Sequence, residues 1–231
     1  PARVLARAAC GWAEALGRPL RILELGAGTG GLTHHLLAVL DGVEIDYLYT
    51  DVSSAFLAWG RERFGSRQGF RTGLVDLEAA VADPAETFDL VVAANALHAT
   101  LDIRASLAAA TARVAPGGHL ALVELVRAPR WVDLVFGTTE GWWRHTSDPV
   151  RPEHALLPLP GWRQLLAEAG LESVATAEDG DAHAVLVARK PTGRRFRVVG
   201  EGALAARVAR SLPLAEPATD LVVVAATAEP A

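Results

Sequence analysis

The stretch Leu20-Arg-Ile-Leu-Glu24-Leu-Gly26-Ala-Gly28-Thr-Gly30-Gly31 is a short apolar run that stops at a glycine, and residues 32–40 then carry apolar side chains at helical spacing. The pattern reads as strand, glycine turn, helix. Glycines in such a turn let the backbone N–H groups approach a ligand closely at the start of the helix. By spacing alone the turn fits two schemes: Gly26, Gly28 and Gly31 satisfy the dinucleotide pattern G-x-G-x-x-G, and Gly26, Gly28 and Gly30 satisfy G-x-G-x-G. Close strand–helix packing with no ligand is a third reading.

The theme repeats outward from this turn. Residues 45–49 are strand-like and end at Asp51, Ser53 or Ser54 can cap a helix, and Gly65 closes it after Phe64. Residues 70–75 form a third strand closed by Asp76, and 88–93 are a continuous apolar run suited to a parallel strand buried on both faces. Ile103, Leu107, Ala110 and Val114 form a helical stripe before Pro116-Gly-Gly118, and 119–126 read as a fifth strand. Residues 127–160 are proline-rich and aperiodic, a long insertion or short-helix region. A stripe through Trp162, Leu165, Leu166 and Ala169 ends at Gly170, and strands are expected at 171–177 and 182–188. Alternating strands and helices predict an α/β, doubly wound, mostly parallel sheet with right-handed crossovers. Residues 1–190 form this core. Residues 191–231 read as a linker and a second unit, with a strand at 196–199, Gly200-Glu-Gly202, a helix-like stretch and a strand at 221–226.

Composition narrows the function. The 231 residues are 51% hydrophobic and 21% charged, an ordinary globular balance, and the net charge of −5 offers no field for nucleic acid or anionic lipid. Cys10 alone cannot build a disulfide framework or a multi-cysteine zinc site, which fits a reducing compartment. No apolar run approaches the roughly 18 residues of a membrane span. A soluble cytoplasmic protein is expected, and a start at Pro1 with no methionine anywhere reads as a body cut from a larger polypeptide.

Three acids sit at successive strand ends, where open α/β sheets bind ligands. Glu24 can accept hydrogen bonds from a cationic amino-acid moiety and would repel a pyrophosphate. Asp51, 25 residues after Gly26, can hold both ribose hydroxyls, and Asp76 can accept from an adenine amino group. Through Glu24-Leu-Gly-Ala-Gly-Thr-Gly30, Asp51, Asp76 and Pro116-Gly-Gly118 the chain resembles the class I S-adenosylmethionine-dependent methyltransferases over residues 15–190. The resemblance implies a seven-stranded sheet with the last strand antiparallel.

Three further motifs, Ala93-Ala-Asn95-Ala-Leu-His98-Ala-Thr100, Leu122-Val-Glu124-Leu125 and Phe136-Gly-Thr-Thr-Glu-Gly-Trp-Trp-Arg144, look like the C-methyltransferase domain of modular and iterative polyketide synthases. That resemblance implies a catalytic dyad of His98 and Glu124. It implies S-adenosylmethionine as cofactor, bound by Glu24, Gly26, Gly28, Gly30, Asp51, Asp76 and Asn95, with no metal. The implied substrate is a β-ketoacyl chain on the phosphopantetheine of an acyl carrier protein, methylated at its α-carbon. The implied neighbours are other synthase domains, with the tail resembling the start of a ketoreductase structural half. Such domains carry a lid subdomain, with an active-site tyrosine, ahead of the glycine motif. Here the first strand begins at Leu20, and neither Tyr47 nor Tyr49 matches that position, which reads as a truncated or reduced variant.

The residues themselves agree with this chemistry. A neutral imidazole, with an ordinary pKa of about 6.5, suits removal of an acidic α-proton, and a carboxylate beside it fixes the tautomer. Strands four and five are neighbours in a doubly wound order, so His98 and Glu124 can meet across 26 positions. Glu124 lies in an apolar run and needs His98, an arginine or water. Trp142 and Trp143 either wall an acyl pocket or bury area. His34 and His35 read as surface or packing residues, and His145, Asp148 and His154 lack metal spacing. Arginines within 127–151 are candidates for docking an acidic carrier. Three other readings stay open: an inactive structural domain, an O- or N-methyltransferase on a carrier-bound substrate, and a nicotinamide oxidoreductase. The last lacks the Tyr-x-x-x-Lys relay, since Lys190 is the only lysine and position 186 is leucine.

Overall fold

The structure is a computed structural model and describes residues 2–79, 86–139, 142, 143, 145, 148–178, 182–192, 196–199 and 221–224. The chain divides into two compact units, Pro1–Pro191 and Thr192–Ala231.

The first unit is built on a seven-stranded sheet ordered β3-β2-β1-β4-β5-β7-β6. The strands are β1 (Leu20–Leu25), β2 (Ile45–Asp51), β3 (Phe70–Leu74), β4 (Phe88–Ala94), β5 (Val114–Leu125), β6 (Glu172–Glu178) and β7 (His183–Arg189). All pairings are parallel except those of β7, which slots antiparallel between β5 and β6. This is the doubly wound, mostly parallel sheet that the strand and helix alternation predicts. The chain order also fits the physics of crossovers: parallel neighbours need a helix between them, whereas β6 and β7 join directly as antiparallel neighbours.

Helices cover both faces. On one face lie α1 (Ala2–Leu16), α2 (Gly31–Val39) and α3 (Ser54–Phe64); on the other lie α4 (Ile103–Ala112) and α6 (Leu159–Glu168). The central strand β4 serves both layers: Leu90 and Val92 pack with α1 to α3, while Val91 and Ala93 pack with Ile103, Leu107 and Trp162. Its two-sided burial is why its sequence is a continuous apolar run without alternation.

Two boundaries differ from the sequence expectation. The stripe to Val114 does not stay helical: α4 ends at Ala112 and Val114 already belongs to β5. Pro116-Gly-Gly118 lies inside that strand as an irregularity, where the register on β4 shifts between Phe88↔Val114 and Leu90↔His119. Lys190 at the core's last position donates from Nζ to the carbonyls of Thr111, Ala112 and Val114, which caps the end of α4.

Helix α1 is an element the sequence reading left unassigned. It docks through Leu5, Ala6 and Ala9, and Trp12 stacks on His119 of β5 with ring centroids 4.1 Å apart. The spacing 5, 6, 9, 12, 13 carries the helical signal. A further short helix, α5 (Arg130–Phe136), forms within the proline-rich segment.

In the second unit, β8 (Phe196–Val199) and β9 (Leu221–Val224) pair in parallel. The expected Gly200-Glu-Gly202 turn, the helix-like stretch after it and residues 225–226 lie outside the described residues, as do residues 193–195 of the linker. No described helix is long and apolar enough to cross a membrane.

Leu186 is fully buried at the centre of β7. Leu186→Ala is expected to lower stability by about 2–5 kcal/mol through lost transfer energy and a residual cavity, read as a shifted urea midpoint at unchanged slope.

Candidate active site

The C-terminal ends of the parallel strands carry two adjoining clefts. The first, of ≈ 320 Å³, lies over the glycine turn, and the second, of ≈ 380 Å³, lies between the end of β4 and α5. A single 3₁₀ turn, Leu97–Ala99, separates them, and Ala99 lines both.

The glycine turn is shaped by contact with this divider. Gly26 has φ 61°, and a Cβ there would stand 2.6 Å from the Cβ of Ala96, so only glycine lets β1 end against the start of the turn. Gly28 also has positive φ, lines the first cleft and faces open space. Its N–H donates to Asp51 Oδ2 at 2.9 Å, and Ser53 N–H donates to Asp51 Oδ1 at 2.9 Å. Asp51 is therefore held rigid at 6% exposure, with lone pairs left toward the cleft. Asp76 is exposed on the same rim and accepts from the N–H of Glu78 through Oδ1. Val52, Phe56 and Leu77 supply apolar surface.

Among the described residues, the cleft lining holds three carboxylates, Asp51, Asp76 and Glu78, and no lysine or arginine. Such a site suits a cationic, phosphate-free ligand with hydroxyl and amino donors, and it disfavours a dinucleotide pyrophosphate.

Three of the residues expected to bind cofactor are not brought to this cleft. Glu24 is 1% exposed beneath the turn, where its Oε2 accepts from Thr33 Oγ1 and Tyr47 Oη, both at 2.5 Å. Gly30 is spent on packing, since a Cβ there would meet the Phe64 ring at 2.5 Å. Asn95 lines the second cleft, not the first. It sits at φ 49°, a left-handed conformation that asparagine tolerates, and its Oδ1 accepts from the N–H of Leu125 at 3.0 Å. It thus stitches the end of β4 to the end of β5.

His98 and Glu124 do come together. His98 Nδ1 lies 2.7 Å from Glu124 Oε2, with His98 at 8% exposure and Glu124 fully buried. A carboxylate at that distance pairs with a proton on Nδ1, the tautomer in which the ring's lone pair is on Nε2. His98 lines the second cleft, whose walls are mostly apolar: Leu125, Val132, Phe136, Trp142 and Ala155. The Trp142 edge meets His98 in a T-shaped contact at 6.1 Å between centroids, and its Nε1 donates to Asp133 Oδ1. Of the two adjacent tryptophans, Trp142 is thus the wall; Trp143 is half exposed and donates to the carbonyl of Gly137.

The carrier-docking expectation fails at Arg151, which is 2% exposed and bonded to Asp148. Arg127 and Arg130 are exposed, and Arg144 lies outside the described residues with Glu140 and Gly141. Sequence reasoning missed Arg151 and Asp148 as buried partners; their three-residue spacing across Pro149 was the available signal of a tight turn. Among the described residues, no three His, Cys, Asp or Glu side chains gather as a metal site.

Comparison with known proteins agrees with this geometry. Residues 23–120 match the family described as a methyltransferase domain. The non-reducing polyketide synthase esdpA of Penicillium shearii is 39% identical over 163 residues, which is 70% of this chain and 7% of that protein. Among solved structures, the CurJ carbon methyltransferase superposes with a TM-score of 0.74 at 31% identity, covering 82% of this chain and 54% of that one. The CMeT domain of the citrinin polyketide synthase gives 0.70 at 34% identity, covering 76% and 48%. The chain therefore carries a methyltransferase domain whose homologues are polyketide synthases, and it spans under a tenth of the length of the curated relatives it matches. The trans-methyltransferase CalH, 28% identical with a TM-score of 0.69 over 82% of this chain and 54% of that one, is solved in complex with SAH, and S-adenosylmethionine is the cofactor of such methyltransferases.

Burial pushes the Glu24 carboxyl up to about 7, against the opposing hydrogen bonds from Thr33 and Tyr47. A carboxyl raised in the folded state binds more protons there than when unfolded, so stability falls as pH rises from about 4.5 to about 7. The loss is about 3 kcal/mol. Asp46, Asp89 and Asp148, held below the usual range by hydrogen bonds that outweigh their burial, act only at lower pH. Glu24→Gln is expected to flatten the fall between pH 5 and 7 in chemical-denaturation series; an unchanged slope would exclude Glu24 as its source.

Proposed function

We propose that this domain methylates the α-carbon of a β-ketoacyl thioester carried on the phosphopantetheine arm of an acyl carrier protein. The carrying observation is the buried His98–Glu124 pair set in the wall between an acidic cleft and an apolar one. A nitrogen or oxygen acceptor needs no carbon base, whereas a β-ketoacyl α-carbon must lose a proton first.

S-adenosylmethionine, when bound, supplies an electrophilic methyl group on a sulfonium. The cleft over the glycine turn fits it: Asp51 would accept from the ribose hydroxyls, Asp76 from the adenine amino group, and open space above Gly28 admits the chain. The carboxylates also favour its positive charge. On the other side of the divider, His98 Nε2 takes the α-proton of the acyl chain, leaving the electron pair as an enolate. Glu124 holds the imidazole in the tautomer that can accept and stabilises the imidazolium that results. The proton then leaves His98 to solvent, which restores the base. Leu125, Val132, Phe136 and Trp142 exclude water from the acyl chain.

The likeness to carbon methyltransferases at 31% and 34% identity supports the acceptor being carbon. The curated relatives are polyketide synthases, which supports a carrier protein and neighbouring synthase domains as partners. We read the second unit, with its parallel β8 and β9, as the opening of a ketoreductase structural half, and the whole as cytoplasmic.

The test is mass spectrometry of a β-ketoacyl carrier protein incubated with the chain and S-adenosylmethionine. A gain of one methyl group is expected, with His98→Gln slowing it on the order of 10²–10⁴-fold while cofactor binding by calorimetry persists. Asp51→Ala should instead weaken cofactor binding. Cofactor binding with no methyl gain in the wild type would favour a structural domain, and methylation indifferent to His98 would favour a heteroatom acceptor.

A further inference from the structure

The proline-rich segment between α5 and α6 looks like a surface insertion, yet it sends one side chain through the interior to the back of the catalytic turn. Arg151 is fully enclosed, its side chain at 0% exposure and that of its partner Asp148 at 2%. Arg151 Nε donates to Asp148 Oδ2 at 2.9 Å. Nη2 lies 2.7 Å from the same oxygen, and the two η nitrogens also donate to main-chain carbonyls: Nη1 to His98 at 2.5 Å, and Nη2 to Thr100 at 2.7 Å and Leu101 at 3.3 Å. Asp148 extends the grip, since its Oδ2 also accepts from the N–H of Ile103, the first residue of α4, at 3.2 Å.

The turn cannot hold itself in this way. Leu97–Ala99 is one 3₁₀ turn, fixed internally by the N–H of Ala99 on Ala96 and of Thr100 on Leu97. The carbonyls of residues 98, 100 and 101 accept from Arg151, the first two of these bonds being buried. Buried carbonyls without donors are costly, and a planar guanidinium fork can serve several diverging acceptors where an ammonium serves one point. A buried ion pair is weak support for a gain in stability, because desolvation offsets its attraction. A charge placed on the backbone of the very residue that lines the cleft calls for a reason in that residue's geometry.

We propose that Arg151, oriented by Asp148, is the positioning residue for His98: it sets the backbone of the divider turn so that Nδ1 meets Glu124 and Nε2 is left to the acyl cleft. The inference rests on the reading of His98 as the base. It also ties the pocket wall to the base, because the Arg151 carbonyl accepts from His145 Nδ1 at 2.9 Å, only three residues beyond Trp142. Loosening this clamp tilts the imidazole while leaving Asp51, Asp76 and the glycine turn in place.

The experiment uses the chain with ¹⁵N-labelled histidine and bound S-adenosylmethionine. The Nδ1–H of His98, hydrogen-bonded to Glu124, gives a low-field proton resonance that His98→Gln removes and so assigns. Arg151→Lys keeps the charge and loses the fork. The expected result is loss or exchange broadening of that resonance and a fall in kcat on the order of 10–100-fold, with cofactor still bound. A sharp, unshifted resonance with wild-type kcat and pH profile, alongside a lowered melting temperature, would overturn the proposal in favour of a purely structural ion pair. Should Arg151→Lys fail to bind cofactor or fold, Asp148→Asn decides by the same resonance: broadening supports the clamp, and no change overturns it. If the resonance responds to Arg151 but the wild type methylates no β-ketoacyl substrate, the clamp stands and the assignment of His98 as carbon base falls.

Discussion

A carboxylate buried at the end of the central sheet is the constraint from which the second cleft follows. Glu124 is fully enclosed on β5 among Leu122, Val123 and Leu125, where a charge without a partner would be strongly destabilising. Its partner, His98, stands on a turn after β4 that has few bonds of its own. The turn takes its carbonyl partners from Arg151, and Arg151, buried in turn, takes its charge partner from Asp148. Each buried polar group thus demands the next, and the sequence of demands runs from the sheet out to the proline-rich segment. That segment must fold back to complete it, and in doing so it brings Trp142 and α5 over the apolar cleft.

The first cleft is organised by a different means. Its shape comes from backbone that side chains would obstruct, as where Gly26 meets Ala96. Its charge comes from carboxylates at strand ends, with Asp51 tied to Gly28 and Ser53 by two N–H donors. The turn Leu97–Ala99 is common ground, and Ala99 lines both clefts.

The sheet was legible because its signals are local. Continuous apolar runs, glycine stops and strand-end acids state β1 to β5 and the two strands after them, and the pairing of β4 with β5 follows from doubly wound order. The dyad was legible for the same reason: once strand neighbours are known, His98 and Glu124 must be close. What escaped was whatever depends on which way a side chain points after the chain has folded. Arg151 sits between Pro149 and Pro152 in a stretch with the composition of a loop, and an arginine in such a stretch is usually solvated. Glu24 was read as reaching forward to a ligand, but strand alternation turns it down beneath the turn to Thr33 and Tyr47. Asn95, expected at the cofactor, lines the second cleft. Helix α1 went unassigned because no glycine or cap announces it, although its apolar spacing is plain.

Glu24 and Glu124 are both buried carboxyls at the ends of parallel strands, and their partners decide what each can do. Glu24 faces two hydroxyls. Burial and the carboxylate beside it drive the Tyr47 hydroxyl well above its ordinary range, so that group donates a hydrogen bond and keeps its proton. With its own affinity for protons raised to about 7, Glu24 can rest neutral, and its role is to anchor the underside of the glycine turn to α2 and β2. Glu124 faces an imidazole, whose second nitrogen is one ring away and opens on a cleft. On the proposed mechanism, a proton taken up at Nε2 would leave a cation directly against Glu124, and the carboxylate would hold it more strongly. Two carboxyls with nearly equal burial thereby divide into an anchor and, on the proposed mechanism, a partner of the base, and the division lies in whether the group they touch can change its charge.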